Sequence, residues 1–356
     1  MAKSVVITGC GVAGPVLAML LKHKGCNPVI YERQPQIQTA GLALGVSSQT
    51  FKVLNILGLA KPLINIGNSL DAMETYSQLR QEVMGRMDAP AKIRKPWDGR
   101  SARERGIEAH FSKRLSDVSQ EGETVTATFE DGPLQREIYL LGMPFESMYD
   151  PASADEPAQV GGFSPTPQFL KSDKQTMYQT FGDGAYFIGS PISSEQMVWA
   201  TTNFQPTKVR EDWRRFSPDD GREMIKGLQA AEWAHGPKQL VETATFATKY
   251  GQYLTCQGAN QAMEDCYHLV RSLCRAGQLT EASIEAAFVE YEAIRIPIVK
   301  KAVAQAKVDG ERRVVSGREA CEKRDAAIKS GGGSHPDRMK LAMELIQGPL
   351  IGESEI

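Results

Sequence analysis

Val5-Val6-Ile7-Thr8-Gly9-Cys10-Gly11-Val12-Ala13-Gly14, followed by Pro15 to His23 and then by Val29-Ile30-Tyr31-Glu32-Arg33, is the stretch whose reading decides the fold. Val5 to Ile7 is a β-branched run suited to a buried parallel strand, and Leu17, Leu20 and Leu21 recur at helical spacing beyond it. Between them lies G-x-G-x-x-G. Gly9 makes the tight turn, Gly11 lets backbone N–H groups approach a pyrophosphate, and Gly14 lets helix and sheet pack closely. The helix start at Val12 and Ala13 then offers unpaired N–H groups and a positive dipole end to phosphates. Glu32 falls about 20 residues on, where a carboxylate can accept both hydroxyls of an adenosine ribose. Glycine turns alone often serve only packing. Strand, glycines, helix, second strand and terminal acid in this order predict a βαβ dinucleotide site.

The 356 residues are enough for two domains, or for one large α/β domain with an inserted layer. A hydrophobic content of 41%, a charged content of 24% and a net charge of -2 describe an ordinary soluble chain with no global attraction to nucleic acid or anionic membrane. No apolar run reaches the roughly 18 residues of a membrane span, and the expected location is cytoplasmic. Cys10, Cys26, Cys256, Cys266, Cys274 and Cys321 have no C-x-x-C spacing, which argues for scattered thiols and against a disulfide framework or a metal site. Cys10 reads as a small residue tolerated in the glycine turn.

Further along, Ser47-Ser48 predicts the start of a helix with Phe51, Leu54, Ile56 and Leu57 on one side and Gly58 at its end. Met73 to Met87 reads as extended, and Ala89 to Gly99, with two prolines and three basic residues, as a loop. His110 falls in a short strand, where an exposed structural role is favoured over catalysis. Val118 and Val125 to Phe129 predict a hairpin ending in Glu130-Asp131-Gly132, and Asp150 to Pro157 a surface loop. Thr176 to Phe181, Gly182-Asp183-Gly184, Ala185 to Ile188 and Met197 to Phe204 read as three aromatic-rich antiparallel strands, a separate sheet able to wall a pocket. Tyr178, Trp199 and Asn203 are candidate substrate-lining residues, although alternation alone leaves open which face is inward. Trp213 to Ala234 reads as a helix and Gln239 to Tyr253 as a strand. Gln257-Gly258-Ala259-Asn260 opens a helix whose first turn exposes N–H groups with little side-chain bulk, a place for a flat polar ring. Thr280 caps a last long helix with an inward stripe of Ile284, Ala287, Phe288, Tyr291 and Ile294, interrupted by Pro297. The basic residues from Lys300 to Arg324 read as a solvated face, and Ser330 to Ser334 as a flexible break before a final short helix.

The glycine motif with Glu32-Arg33, taken together with Gln257-Gly258-Ala259-Asn260-Gln261-Ala262-Met263-Glu264-Asp265, resembles the single-component FAD-dependent monooxygenases of the para-hydroxybenzoate hydroxylase fold, in their salicylate hydroxylase-like branch. Asn55 to Leu59, Phe129 to Gly132 and Tyr291 to Pro297 are similar to phrases of the same family, and the resemblance runs from Lys3 to about Arg313. It implies an α/β fold: a Rossmann-like FAD-binding domain (residues 1–72, 98–135 and 245–310), an inserted antiparallel-sheet substrate domain (73–97 and 136–244) and a C-terminal helical segment (311–356). It implies FAD held by Gly9, Gly11, Val12, Ala13, Gly14, Glu32 and Arg33, with the isoalloxazine against Gly258, Ala259 and Asn260. NAD(P)H would be a transient reductant, and oxygen would pass from a flavin C4a-hydroperoxide to an aromatic or polycyclic metabolite as a hydroxyl or an epoxide. No catalytic residue and no metal are implied, and a monomer or homodimer is expected. Three family segments are missing: one after Gly132, one before Gln257 and one between Trp97 and Arg105. Two readings follow. Either the anchoring segments of an FAD enzyme lie outside this sequence, or a contracted relative uses the pocket for a cofactor-free isomerisation or cyclisation, or only to bind a small molecule.

Overall fold

A computed structural model describes the chain except for residues 1–3, 38–42, 95–105, 122–123, 136–138, 143–157, 173, 204–218, 220–232, 252–257, 279 and 332–355. The βαβ unit forms as its residue types dictate. Strand β1 (Ser4–Thr8) and strand β2 (Asn27–Tyr31) pair in parallel, and helix α1 (Ala13–His23) crosses between them with Gly14 to Leu21 all buried.

Strand β3 (Leu44–Val46) leads into helix α2 (Ser48–Ile56), where Ser47 caps the start by accepting from the Thr50 N–H. Gly58 sits just beyond α2 at φ +64, a conformation that L side chains rarely adopt, before helix α3 (Ala60–Ile66). Strands β4 (Asn68–Ser77) and β5 (Glu82–Arg94) form an antiparallel pair, followed by β6 (Glu108–His110). Strands β7 (Leu115–Glu121), β8 (Thr124–Phe129) and β9 (Gly132–Gln135) make a small meander, and β10 (Tyr139–Gly142) follows. Next come β11 (Ala158–Pro165), β12 (Thr176–Phe181), β13 (Ala185–Pro191) and β14 (Gln196–Asn203), then helix α4 (Pro237–Glu242) and β15 (Phe246–Gly251). Helices α5 (Gly258–Arg275), α6 (Glu281–Arg313) and α7 (Arg318–Lys329) close the order.

The strands form a parallel sheet in the order β10-β1-β2-β6, an eight-stranded mixed sheet in the order β15-β11-β14-β13-β12-β4-β5-β3, and the three-stranded meander. One core lies where α1, α2, α5 and α6 meet the parallel sheet, built from residues such as Ile7, Leu17, Leu54, Met263 and Val270. A second covers one face of the large sheet, where Phe187, Trp199 and Trp233 pack with Leu240 and Val241 of α4.

Several elements differ from the sequence expectation, each for a local reason. Strand β10 belongs to the parallel sheet beside β1, not to the inserted one: Tyr139 to Gly142 is a short apolar run, a signal that buried strands of either sheet share. Strand β15 conversely pairs with β11 in the large sheet. Residues 237–242 are helical, because Pro237 at the first position, after Gly236 at φ +65, starts a helix and not a strand. Strand β5 runs to Arg94 through Pro90, which is tolerated because the register shifts there: Ala91 faces Leu70 and Asp88 faces Ala72. The expected helix of Trp213 to Ala234 falls almost wholly outside the described residues, as do the Asp150 to Pro157 loop and nearly all of the segment after Gly331. Among the described residues no helix is long and apolar enough to cross a membrane, and no cluster of His, Cys, Asp and Glu could hold a metal ion.

Candidate functional site

The glycine turn has the geometry its sequence calls for. Gly9 adopts φ +102 and its N–H donates to the Tyr31 carbonyl at 2.7 Å, which joins the turn to the end of β2. A Cβ on Gly14 would lie 1.9 Å from the Gly9 carbonyl oxygen, so only glycine allows α1 to begin this close to the turn. Gly11 is exposed, and a Cβ there would meet nothing within 4 Å, which leaves its backbone open to an approaching ligand. No side chain caps the start of α1, where Val12 occupies the N-cap, and no acidic residue lies in the first turn. The N–H groups of this end are therefore available to an anion.

Glu32 closes the cradle. Its Oε2 accepts from the Cys10 N–H at 2.6 Å and its Oε1 from the Gln34 N–H at 2.8 Å, so the carboxylate is held in place by backbone and keeps further lone pairs for hydroxyl donors. Arg33 beside it is exposed.

The start of α5 is tied to the same core. Asn260, 1% exposed, accepts through Oδ1 from the Ser47 N–H at 2.9 Å and the Thr50 hydroxyl at 2.8 Å, and its Nδ2 donates to the Gly45 carbonyl at 2.7 Å. Its side chain is thus a clamp between α5 and the β3–α2 turn, while Gly258 is exposed at the helix start. Further along, the Cys266 Sγ meets the Ala13 carbonyl at 3.4 Å. Cys266 is eight residues into α5, so Gly258 lies about 12 Å along the α5 axis from the residue that touches Ala13 at the start of α1.

Behind them lies a buried ionic cluster that the sequence reading missed. Arg295 of α6, 2% exposed, donates through Nε to Asp265 Oδ1 at 2.5 Å and through Nη2 to Gln261 Oε1 at 2.7 Å, with Glu264 Oε2 at 3.6 Å from Nη1. Burial pushes the Glu264 carboxyl up to about 7 against the pull of Arg295, and its Oε1 has no hydrogen-bond partner among the described residues. Burial also raises Asp265, opposed by the same guanidinium. His268, one turn on, is buried and held neutral, its pKa lowered to about 3 by burial and then by Arg295 and Arg271. A signal for this cluster was present: Arg295 follows Tyr291 by four residues and so falls on the inward stripe.

In the large sheet, Tyr178 and Trp199 share the face covered by α4. Tyr178 stacks on His235 at 4.4 Å, and Trp199, 1% exposed, donates through Nε1 to Ser164 Oγ at 2.8 Å. His235, whose pKa burial lowers, also meets Thr180 Oγ1 through Nδ1 at 3.0 Å and Glu74 Oε1 through Nε2 at 3.4 Å. Asn203 ends β14 opposite Ala158 and Ala185. The other face carries Met73, Thr75, Met177, Gln179, Ile188 and Val198, all half-buried. Ser190 lies among them, 3% exposed, and its Oγ has no hydrogen-bond partner among the described residues.

The geometry agrees with what this chain resembles. The family model described as "FAD binding domain" matches residues 2–139. The chain carries an FAD-binding domain. It is 22% identical to 3-amino-4-hydroxybenzoate 2-monooxygenase of Streptomyces cremeus, over 82% of this chain and 83% of that protein. It is 36% identical to FAD-dependent urate hydroxylase of Mycolicibacterium vanbaalenii over 69 residues, 19% of this chain and 18% of that one. Among solved structures it is similar to Klebsiella pneumoniae HpxO complexed with FAD and uric acid, with a TM-score of 0.78 at 17% identity over 98% of this chain and 98% of that one. The fold is that of the FAD-dependent monooxygenases of para-hydroxybenzoate hydroxylase type. FAD is the cofactor, and the chemistry is that of a flavin-dependent oxidoreductase. The residues present fit the ADP half of FAD: a glycine turn, a helix start with no side-chain cap and a carboxylate held in place by two backbone N–H groups. The alignment with the Streptomyces cremeus enzyme has 342 positions but takes in 82% of 356 residues, about 292, so about 50 of its positions have no counterpart in this chain.

Proposed function

We propose that the protein is an NAD(P)H-consuming FAD monooxygenase that adds one oxygen atom from O2 to a small aromatic or polycyclic substrate. The balance is substrate C–H, O2, NAD(P)H and a proton giving substrate C–OH, water and NAD(P)+; for an epoxide, a C=C bond takes the oxygen. One observation carries the reading: the glycine turn with Glu32 and the start of α5, which begins about 12 Å along its axis from the residue that touches Ala13, border one core, as anchor points for a dinucleotide with a ring system at its far end. The relatives named for hydroxylating an aminohydroxybenzoate and urate support an electron-rich ring as substrate.

FAD supplies, when bound, the relay of electrons from nicotinamide to oxygen. The chain's own residues bind and orient it. Gly9, Gly11 and Gly14 let backbone reach the pyrophosphate, with the N–H groups of Val12 and Ala13 at the helix start; Glu32 takes the ribose hydroxyls, and Arg33 lies near the adenosine or pyrophosphate. Gly258 and Ala259 present backbone to the ring, and Asn260 holds that backbone in place through Gly45, Ser47 and Thr50. The face of Met73, Met177, Ile188 and Val198 is largely apolar, with the Gln179 amide and the hydroxyls of Thr75 and Ser190 among them, a suitable wall for a flat substrate. Tyr178, Trp199 and Asn203 then act at one remove, by building the sheet that carries this wall.

The test is to titrate purified protein with FAD while following flavin fluorescence, then to measure NADH and NADPH oxidation with hydroxybenzoates, aminobenzoates and purines. The expected result is FAD binding, faster nicotinamide oxidation with one substrate class, and a product heavier by one oxygen. Absence of FAD binding, or oxidation that yields only hydrogen peroxide with every compound, sinks the proposal. A second reading, a cofactor-free isomerase, cyclase or small-molecule binder, rests on the roughly 50 missing alignment positions. It requires turnover or ligand binding that is unchanged when FAD and oxygen are removed.

A further inference from the structure

Glu264 lies on the same face of α5 as Asn260, one turn further on, and is 5% exposed. Its surroundings are short of hydrogens. Asn260 is fixed in orientation, because Oδ1 faces the Ser47 N–H and Nδ2 the Gly45 carbonyl, so the Thr50 hydroxyl at 2.8 Å gives its hydrogen to Oδ1. The Ser47 hydroxyl, 3.0 Å from Thr50 Oγ1, is then the donor of that pair, and Ser47 Oγ accepts from the Thr50 N–H. Both hydroxyls also face the Glu264 carboxyl, with their hydrogens spent and a lone pair left on each oxygen. On the other side Gln261 Nε2 reaches Oε2 at 3.4 Å and Arg295 Nη1 at 3.6 Å, because Arg295 is held by Asp265 and by Gln261 Oε1. An ionised Glu264 would leave Oε1 a buried acceptor with no donor among the described residues, and would be the second carboxylate on one guanidinium. A proton on Oε1 removes both difficulties, since it can be donated to the remaining lone pair of Ser47 or Thr50.

We propose that Glu264 carries this proton whenever FAD is bound, and that it is a positioning residue for the ring end of the cofactor. The inference rests on the proposed function, in which the ring lies against Gly258 and Ala259. The neutral carboxyl completes a chain from Glu264 through Ser47 and Thr50 to Asn260, the side chain that fixes that backbone. Ionisation removes the one hydrogen that closes the chain. A ring seated on Gly258 and Ala259 also excludes the water that would solvate a carboxylate, and the FAD pyrophosphate brings negative charge to the same core. FAD binding and protonation of Glu264 therefore favour one another. Burial already raises this carboxyl to about 7, so the exchange falls in the neutral range. The charged groups that face it are Arg295 of α6 and Asp265 beside it, which oppose one another; α2 brings the uncharged Ser47 and Thr50. Tyr291 of α6, Arg271 and His268 complete the cluster, and His268 is held neutral.

The test follows FAD affinity of the full chain by flavin fluorescence at about pH 6 and about pH 8.5, in the wild-type protein and in Glu264→Gln, whose amide keeps a donor at every pH. Wild-type affinity is expected to fall about tenfold between the two, and that of the variant to stay within about twofold. Calorimetry of the wild-type chain in buffers of different ionisation enthalpy gives an independent reading. FAD binding at the higher pH should take up a proton, and at the lower pH none. Equal wild-type affinity at both pH values overturns the proposal. So does a variant with the wild-type pH dependence, or binding at the higher pH without proton uptake. Failure to bind FAD at either pH would strike the proposed function itself, and this inference with it.

Discussion

The residues with the sharpest consequences are those whose surroundings leave no alternative. At Gly14 any side chain places Cβ 1.9 Å from a backbone oxygen, so Gly14→Ala forces the turn and α1 apart. Overpacking of this kind costs about 1–3 kcal/mol, and here it also deforms the phosphate cradle. The expected outcome is a lower Tm and an FAD affinity reduced at least tenfold in a fluorescence titration; unchanged affinity would remove the glycine turn from the cofactor site. Ser190 presents the opposite case. Its Oγ is buried without a partner, so deleting it in Ser190→Ala should leave stability unchanged or raise it by about 1 kcal/mol, because an unsatisfied hydroxyl is lost. A fall in kcat with any identified substrate, at equal or higher stability, would show that the hydroxyl is kept for the reaction and not for the fold.

Between elements, the junction of α5 and α6 is ionic inside an apolar core. Arg295→Met removes the guanidinium that pairs with both Glu264 and Asp265 and is expected to cost about 3–5 kcal/mol in urea unfolding, since the buried Glu264 and the half-buried Asp265 would lose their shared cation. The same junction makes stability depend on pH. Glu264 titrates near 7 in the folded chain and near 4.5 unfolded, so its contribution is whole below about 4.5 and is lost as pH rises through about 7. His268, lowered to about 3 from 6.5, acts in the other direction: its contribution is present above 6.5 and is lost as pH falls. The two slopes offset one another between pH 4.5 and 6.5. Replacing Glu264 by Gln isolates its part: wild-type stability relative to the variant should fall by on the order of 3 kcal/mol between pH 4.5 and 7. A pH-independent difference would place the Glu264 carboxyl in ordinary solvent contact. The sequence showed the start of α5 because its Gly-Ala-Asn residues are local, but not its fastening. Asn260 reaches Ser47 across 213 positions, a contact that no spacing rule encodes. Alternation likewise left open which face of the strands is inward: Tyr178 and Trp199 lie on the face that α4 covers, and α4 follows at 237–242 in a stretch with the pattern of a strand.

At the scale of the whole molecule, the dinucleotide half was legible because a βαβ unit is short and its glycines are specified by backbone geometry, whereas β10 and β15 exchanged sheets because strand partners are chosen by long-range packing. The proposed cofactor anchors at Gly9 to Gly14 and at Gly258 lie on elements that share one core, built by α1, α2, α5 and α6, while the large sheet has cores of its own. A ligand bound at both anchors therefore stabilises the parallel-sheet half directly. At a free FAD concentration of one hundred times its Kd the gain is about 2.7 kcal/mol, from mass action alone. For a folding unit of this size that corresponds to a Tm rise of roughly 5–10 °C in a thermal scan. ADP, which can occupy only the glycine cradle, should raise Tm by less at the same concentration, because it cannot reach the start of α5. Equal shifts for FAD and ADP would mean that the ring end contributes no binding, and would move the balance to the cofactor-free reading; a larger shift for FAD joins the two anchors into one site.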